Sequence, residues 1–283
     1  MTTTSTLPDV GVELREGYAE LDDVKLHYVE AGDGDPLLLI MGFGGDHQAW
    51  AFQVPAFSAS YRVISFDNRG AGRSSVPDAP YTTRLMADDA VGVLDALGID
   101  RAHVLGVSMG GMIAQELALN HPRRVRSLQL HCTYARSDAY MRALMDVWRT
   151  VRAKSTAEEW LRTVALWLFS PATFARRPEL VETVIQTGLA NPYPFSLTGF
   201  VRQGEAVRGH DALDRLPALA CPTLVSVGEH DVLVPPRFAR EIAAAVPKAE
   251  LRIVDDGAHA YFWERADVFN AMCLDFLARH RAA

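Results

Sequence analysis

Cysteine is scarce in this chain: three in 283 residues, at positions 132, 221 and 273. Their odd number and wide spacing exclude a disulfide framework and offer no metal-ligand pattern. Free, buried thiols in a reducing compartment, the cytoplasm, are the expectation. Long apolar runs are missing as well. None approaches the ~20 residues needed to cross a bilayer, so neither a helical span nor a membrane partner is expected. Positive charge is in deficit: 28 Lys and Arg stand against 35 Asp and Glu, a formal net charge of −7 and a pI near 5.7. Nucleic-acid partners need a basic surface and are excluded on that ground. No internal repeat or low-complexity tract is evident. Segment 1–8 is rich in Thr and Ser but has neither the positive flank nor the apolar centre of a secretory signal, and it reads as a disordered tail. The rest is ordinary globular composition, 49% hydrophobic and 22% charged with a mean hydropathy of +0.01. That is enough for one large core or a core with a subdomain.

Segment 17–30 has the pattern of a hairpin turning at Asp22-Asp23. Six candidate strands follow, at 36–41, 61–66, 102–107, 125–130, 223–227 and 250–254, the first of them an unbroken apolar run. Unbroken apolar runs of that length are expected of strands covered on both faces. Helix-period segments lie between or after them, at 82–97, 109–120, 236–245 and 264–280. Strands alternating with helices predict an α/β fold, a mostly parallel sheet with helices on both faces. The alternation breaks over 133–209, which carries only helical patterns (138–152, 156–168 and 179–187) punctuated by prolines. The expected division is a core of residues 1–132 and 210–283 with a helical cap of residues 133–209.

Gly106-Val107-Ser108-Met109-Gly110 follows one predicted strand and opens a predicted helix. In that context G-x-S-x-G marks a nucleophilic serine on a strained turn. Its partners should sit at other strand ends on the same sheet edge, because parallel strands bring all their C-terminal ends together. Asp231 ends the run Val227-Gly228-Glu229-His230-Asp231, and His259 follows the last predicted strand in Asp255-Asp256-Gly257-Ala258-His259. His259 is placed as the base and Asp231 as the acid that holds its tautomer. Asp255 and Asp256 lie beside the histidine on one loop, which makes them awkward partners. His27, His47, His103, His121 and His210 fall at weaker places. Acyl transfer also needs backbone donors for a developing oxyanion. Met109 N–H supplies one. The glycine-rich loop Met41-Gly42-Phe43-Gly44-Gly45 supplies the other, with Phe43 the first choice and Gly44 the reserve. That loop lacks the Lys-Ser/Thr ending of a phosphate loop. Asp67-Asn68-Arg69-Gly70-Ala71-Gly72-Arg73-Ser74 is expected to fix a turn near the site.

Together these motifs, spanning about residues 17–280, resemble the α/β-hydrolase superfamily, in its branch of serine esterases, enol-lactonases and perhydrolases. The resemblance implies Ser108, Asp231 and His259 as a catalytic triad and 133–209 as a cap. It implies no cofactor and no metal. One departure stands out: many relatives carry His-Gly where this chain has Met41-Gly42, which leaves the support of the oxyanion loop open. Serine at position 108 argues against the dehalogenases and epoxide hydrolases of the superfamily, which use aspartate there.

The expected function is hydrolysis of small, mainly apolar carboxylic esters or lactones. Carbon–carbon bond hydrolysis of ring-cleavage products, cofactor-free perhydrolysis and a non-catalytic ligand-binding role are the alternatives. Trp148 and Trp167 in the insertion and Trp263 after His259 are the candidate substrate contacts. Arg202 and Arg208 are the cations of the insertion that could meet a substrate carboxylate, although surface solvation is the simpler reading of each. The oligomeric state is left open.

Overall fold

The computed structural model describes residues 11–281, so the expected N-terminal tail lies outside the described residues. Eight strands form a single sheet: Arg15–Glu20 (β1), Lys25–Ala31 (β2), Asp35–Ile40 (β3), Tyr61–Phe66 (β4), Ala102–Val107 (β5), Val125–His131 (β6), Thr223–Gly228 (β7) and Glu250–Val254 (β8). Their spatial order is β1-β2-β4-β3-β5-β6-β7-β8. β1 and β2 form the expected hairpin, β2 pairs antiparallel with β4, and every other pairing is parallel.

The core helices are Val54–Ser58 (α1), Thr83–Ala96 (α2) and Met109–Asn120 (α3). Five inserted helices follow: Ala139–Arg152 (α4), Ala157–Leu168 (α5), Pro171–Arg176 (α6), Pro178–Ala190 (α7) and Leu197–Gly209 (α8). Pro236–Ala245 (α9), Tyr261–Glu264 (α10) and Ala266–Ala278 (α11) complete the chain. None of the described helices is long and apolar enough to cross a membrane.

The period-2 alternation of a strand sends consecutive β3 side chains to opposite faces. Leu38 and Ile40 pack in a core that includes Met86 of α2 and Ile113 of α3. Leu37 and Leu39 join Phe57 of α1 and Phe269 of α11 on the other face. Full burial of each such side chain contributes about 1.5–3 kcal/mol, which makes the sheet centre a firm base for the loops at its edge. β3 is also where the strand order reverses, with β4 on one side and β5 on the other. A crevice opens at such a switch point, beyond the carboxyl ends of the strands.

The five inserted helices run between β6 and β7. Their caps are written in the sequence: Asp138, Thr156, Ser170 and Ser196 each accept a backbone N–H of the helix they precede, and Pro171 and Pro178 begin α6 and α7. The two ends of the insertion are tied together. Ala212 N–H donates to Ala135 C=O at 2.7 Å, Ser137 N–H donates to His210 C=O at 3.0 Å, and Arg136 pairs with Asp211 and Asp214. α6 and α8 fall outside the segments read from the sequence.

The helix expected over 264–280 is interrupted. Arg265 has φ −127° and ψ 47°, outside helical geometry, and separates α10 from α11. Beside the break, Glu264 is turned inward and 5% exposed. Its carboxylate accepts Ser170 N–H at 2.8 Å, Thr173 Oγ1–H at 2.6 Å and Ala258 N–H at 2.7 Å. One buried carboxylate thereby fastens α6 to the loop that carries His259.

Candidate active site

Ser108 occupies the turn between β5 and α3 with φ 56° and ψ −121°, a left-handed conformation rare for a residue with a Cβ. The turn is held by Ser108 N–H donating to His131 C=O at 2.9 Å and by Thr133 Oγ1 donating to Ser108 C=O at 2.8 Å. The flanking glycines are required by contact. A Cβ on Gly106 would lie 2.2 Å from the Gly110 carbonyl oxygen, and one on Gly110 would lie 2.0 Å from that of Ile40. α3 therefore seats against β5 only with glycine at 106, and against β3 only with glycine at 110.

Asp231 and His259 follow β7 and β8 on the same sheet edge. His259 Nδ1 lies 2.8 Å from Asp231 Oδ2, and both residues are buried. The other carboxylate oxygen, Oδ1, accepts Leu233 N–H at 2.9 Å and Val234 N–H at 2.7 Å. An ionised carboxylate only accepts, so the imidazole proton is on Nδ1 and Nε2 is left as a lone-pair base. Ser108 and His259 both line one cavity of about 590 Å³ between the sheet edge and the inserted helices. Asp255 and Asp256 are exposed.

The glycine-rich loop lies against the serine: a Cβ on Gly42 would come 3.0 Å from Ser108 Cβ. Gly44 N–H donates to Gln203 Oε1 at 2.9 Å, so the reserve oxyanion donor is already engaged. No protein acceptor meets the N–H of Phe43 or Met109 among the described residues. Met109 begins α3, where first-turn N–H groups have no intrahelical partner. The support that the missing histidine left open comes from two amides. Asn68 Nδ2 donates to Met41 C=O at 2.9 Å, and Gln203 Nε2 donates to Arg69 C=O at 2.9 Å. Gln203 is fully buried on α8, so an inserted helix braces the loop directly.

Replacing Gln203 by Leu orphans Gly44 N–H and Arg69 C=O, at a cost of about 1–3 kcal/mol of stability. If the loop positions an oxyanion donor, kcat should fall about 10–100-fold with KM nearly unchanged. Steady-state kinetics beside thermal melts check both. An intact kcat in a destabilised variant would assign Gln203 to packing alone.

Asp67 and Arg69 are tied into the frame. Asp67 accepts His47 N–H, His47 Nδ1–H, His27 Nδ1–H and Arg73 N–H. Burial pushes its carboxyl up, but those hydrogen bonds outweigh it and hold the pKa well below the usual range. Burial pulls the His47 imidazole down, but the Asp67 hydrogen bond and charge, with the charge of Asp46, raise it overall. His27, His47 and Asp67 have ligand atoms close enough to share a cation, yet both oxygens of Asp67 are already taken by these donors. Arg69 is 1% exposed and pairs with Asp89 and Asp23.

The cavity wall is mainly apolar. Trp148 and Trp263 line it, as do Trp160 and Phe195. Trp167 does not. It packs edge-on against Trp148 at 5.6 Å, because its position on α5 faces α4 instead of the cavity. Arg202 pairs with Asp78 and Glu205, and Arg208 with Asp146, so neither reaches the cavity. The arginine that does reach it is Arg152, at the end of α4. The sequence carried a signal for it: Arg152 is four residues beyond Trp148, on the same helix face.

Residues 35–266 match the alpha/beta hydrolase fold family. The chain is 36% identical to a protein from Azorhizobium caulinodans named as a candidate carbamate hydrolase, RutD, over 92% of this chain and 97% of that one. Among solved structures it resembles the enol-lactonase from Burkholderia xenovorans at a TM-score of 0.83 and 29% identity, covering 93% of this chain and 100% of that one. A thermophilic esterase from Thermogutta terrifontis gives a TM-score of 0.82 and 29% identity, covering 91% and 95%.

Proposed function

The chain belongs to the α/β-hydrolase fold family and is a hydrolase of that fold, and from that premise we propose a serine hydrolase that cleaves small, mainly apolar carboxylic esters or lactones. The observation that carries the reading is the convergence of three chain segments on one cavity edge. Ser108 is held in a strained turn, the His259–Asp231 pair leaves the Nε2 lone pair open, and Phe43 and Met109 keep N–H groups without a protein acceptor among the described residues. In the proposed reaction Ser108 Oγ attacks the acyl carbon as His259 Nε2 takes its proton. The carbonyl electron pair moves onto oxygen, facing Phe43 N–H and Met109 N–H. The tetrahedral intermediate collapses, the leaving alcohol takes the proton from His259, and an acyl-Ser108 ester remains. Water activated by His259 then releases the acid.

The inserted helices act as the cap in this reading and set the substrate through the apolar wall. The relatives named for lactone, ester and carbamate chemistry support it, because all three substrates present an acyl carbon with a heteroatom leaving group. Three unpaired cysteines are in keeping with the cytoplasmic location we propose.

A fluorophosphonate probe tests the nucleophile. One equivalent should label the protein at Ser108, found by peptide mass mapping, and prior incubation with substrate should slow the labelling. Labelling elsewhere, or none, would remove the serine mechanism.

A further inference from the structure

Arg152 ends α4 and lines the cavity, yet it makes no ion pair among the described residues. Its one side-chain hydrogen bond among the described residues runs from Nη2 to Phe195 C=O at 3.2 Å. Its Nε is buried with no partner. Among the described residues, one of its five guanidinium N–H donors has a protein acceptor, and the buried Nε–H carries the cost of an unmet donor. The other arginines of α4 and α8 that lie near carboxylates are paired: Arg149 with Asp146, Arg202 with Asp78 and Glu205, and Arg208 with Asp146.

The cavity also holds the carboxyl of Asp46, but Asp46 does not serve Arg152. It is pinned by Asn191 Nδ2 at 2.8 Å and Gln48 N–H at 2.9 Å, and burial raises its pKa, which weakens its charge. The helix dipole favours a cation in the last turn of α4. It does not explain why this one faces the cavity with its Nε sealed from water. Arg152 is also tied to the cavity wall that backs the oxyanion loop. Its acceptor residue, Phe195, packs on the ring of Phe43 at 5.4 Å, in the oxyanion loop.

We propose that Arg152 is a specificity residue that binds a carboxylate on the substrate, so that the preferred substrates are monoanionic esters or lactones with an apolar middle and a free acid at the far end. This rests on the serine-hydrolase reading above. The apolar wall takes the methylene chain, Ser108 meets the acyl carbon, and the guanidinium offers a planar fork that matches a carboxylate. The alternative for Arg152 is a strut between α4 and the Phe195 turn. A strut would affect charged and neutral substrates alike.

The test compares mono-4-nitrophenyl adipate with 4-nitrophenyl hexanoate in the full-length wild type, Arg152→Gln and Arg152→Lys. The wild type should favour the anionic ester in kcat/KM, mostly through KM. The ratio between the two esters should fall about 30-fold in Arg152→Gln, the size expected of one charge-assisted contact, and recover in part with lysine. An unchanged ratio, with both esters slowed equally, makes Arg152 a strut and overturns the proposal. If the wild type hydrolyses neither ester, the serine-hydrolase reading fails, and binding decides the carboxylate separately. By calorimetry, monomethyl adipate should then bind about 30-fold more tightly than dimethyl adipate, an advantage lost in Arg152→Gln. Equal binding of the two overturns it.

Discussion

Ser108→Ala should lower kcat for a short 4-nitrophenyl ester about 10⁴–10⁶-fold while leaving KM within a few-fold of the wild type. The size follows from what the hydroxyl does. Without Oγ there is no acyl-enzyme, and the His259–Asp231 pair is left to activate water against an unpositioned carbonyl. What remains is substrate binding and the oxyanion donors, which sustain only a small rate over water. The fold should not suffer. Ser108 Oγ makes no hydrogen bond among the described residues, the turn is held by Ser108 backbone groups with His131 and Thr133, and alanine keeps the Cβ already accommodated at φ 56°. The melting temperature should stay within about 2 °C, since a shift of that size corresponds to well under 1 kcal/mol in a chain this long. Turnover above about 1% of wild type in Ser108→Ala, in a preparation that no longer takes up a fluorophosphonate, would sink the serine mechanism.

The strands and the three candidate triad positions could be read from sequence because each depends on short-range pattern. A strand buried on both faces is written mainly in apolar residues, as β3 is in Pro36-Leu37-Leu38-Leu39-Ile40, and β4 to β7 keep enough of that pattern to be read while the edge strand β8 is only partly buried. Ser108, Asp231 and His259 are legible as positions at strand ends, since a parallel sheet fixes where strand ends go. Residues that work through another part of the chain were less visible. Gln203 is a polar residue on the buried face of α8, where Phe200, Ala206 and Val207 set the apolar stripe. Its partners, Gly44 and Arg69, lie more than 130 residues away. α8 also carries glycines at 199, 204 and 209, which blur its helical pattern. Glu264 looks like an ordinary helix-start residue until its carboxylate is seen to hold Ser170 and Ala258. Trp167 shows the converse error. Aromatic residues at helical spacing are alike in sequence, and only the packing of α5 on α4 turns Trp148 toward the cavity and Trp167 behind it.

The same burial that builds the sheet should make the protein sensitive to acid. His103, His131 and His210 are 0–2% exposed. Burial lowers their pKa values, to about 4 for His103, with the Arg126 charge adding to the effect, to about 3 for His131 and to about 4 for His210. Each uses Nδ1 on a hydroxyl, of Ser127, Ser226 and Thr83 respectively. Nε2 of His103 and of His210 has no partner among the described residues, so a second proton there would meet no acceptor among them. The direction follows from linkage. In the unfolded chain these imidazoles titrate near about 6.5, and in the folded chain only well below that. Their contribution to stability is complete above about pH 6.5 and is lost as pH falls toward about 4, because the unfolded state takes up protons that the folded state refuses. Three such groups give a slope approaching about 4 kcal/mol per pH unit, or about 5–6 kcal/mol between pH 7 and pH 5. His47 runs the other way: its raised pKa adds stability as pH falls toward about 6.5 and nothing further below. The depressed carboxyl of Asp67 matters only under about pH 4. A domain with a total stability of about 5–15 kcal/mol should therefore lose much of it by pH 5. Urea unfolding at pH 7, 6 and 5 and fixed ionic strength measures the slope, and His210→Gln should reduce it by about 1.4 kcal/mol per pH unit, one proton's share. A flat stability across that interval would mean that the buried imidazoles take up protons in the folded protein, which their desolvation and unpaired Nε2 atoms oppose.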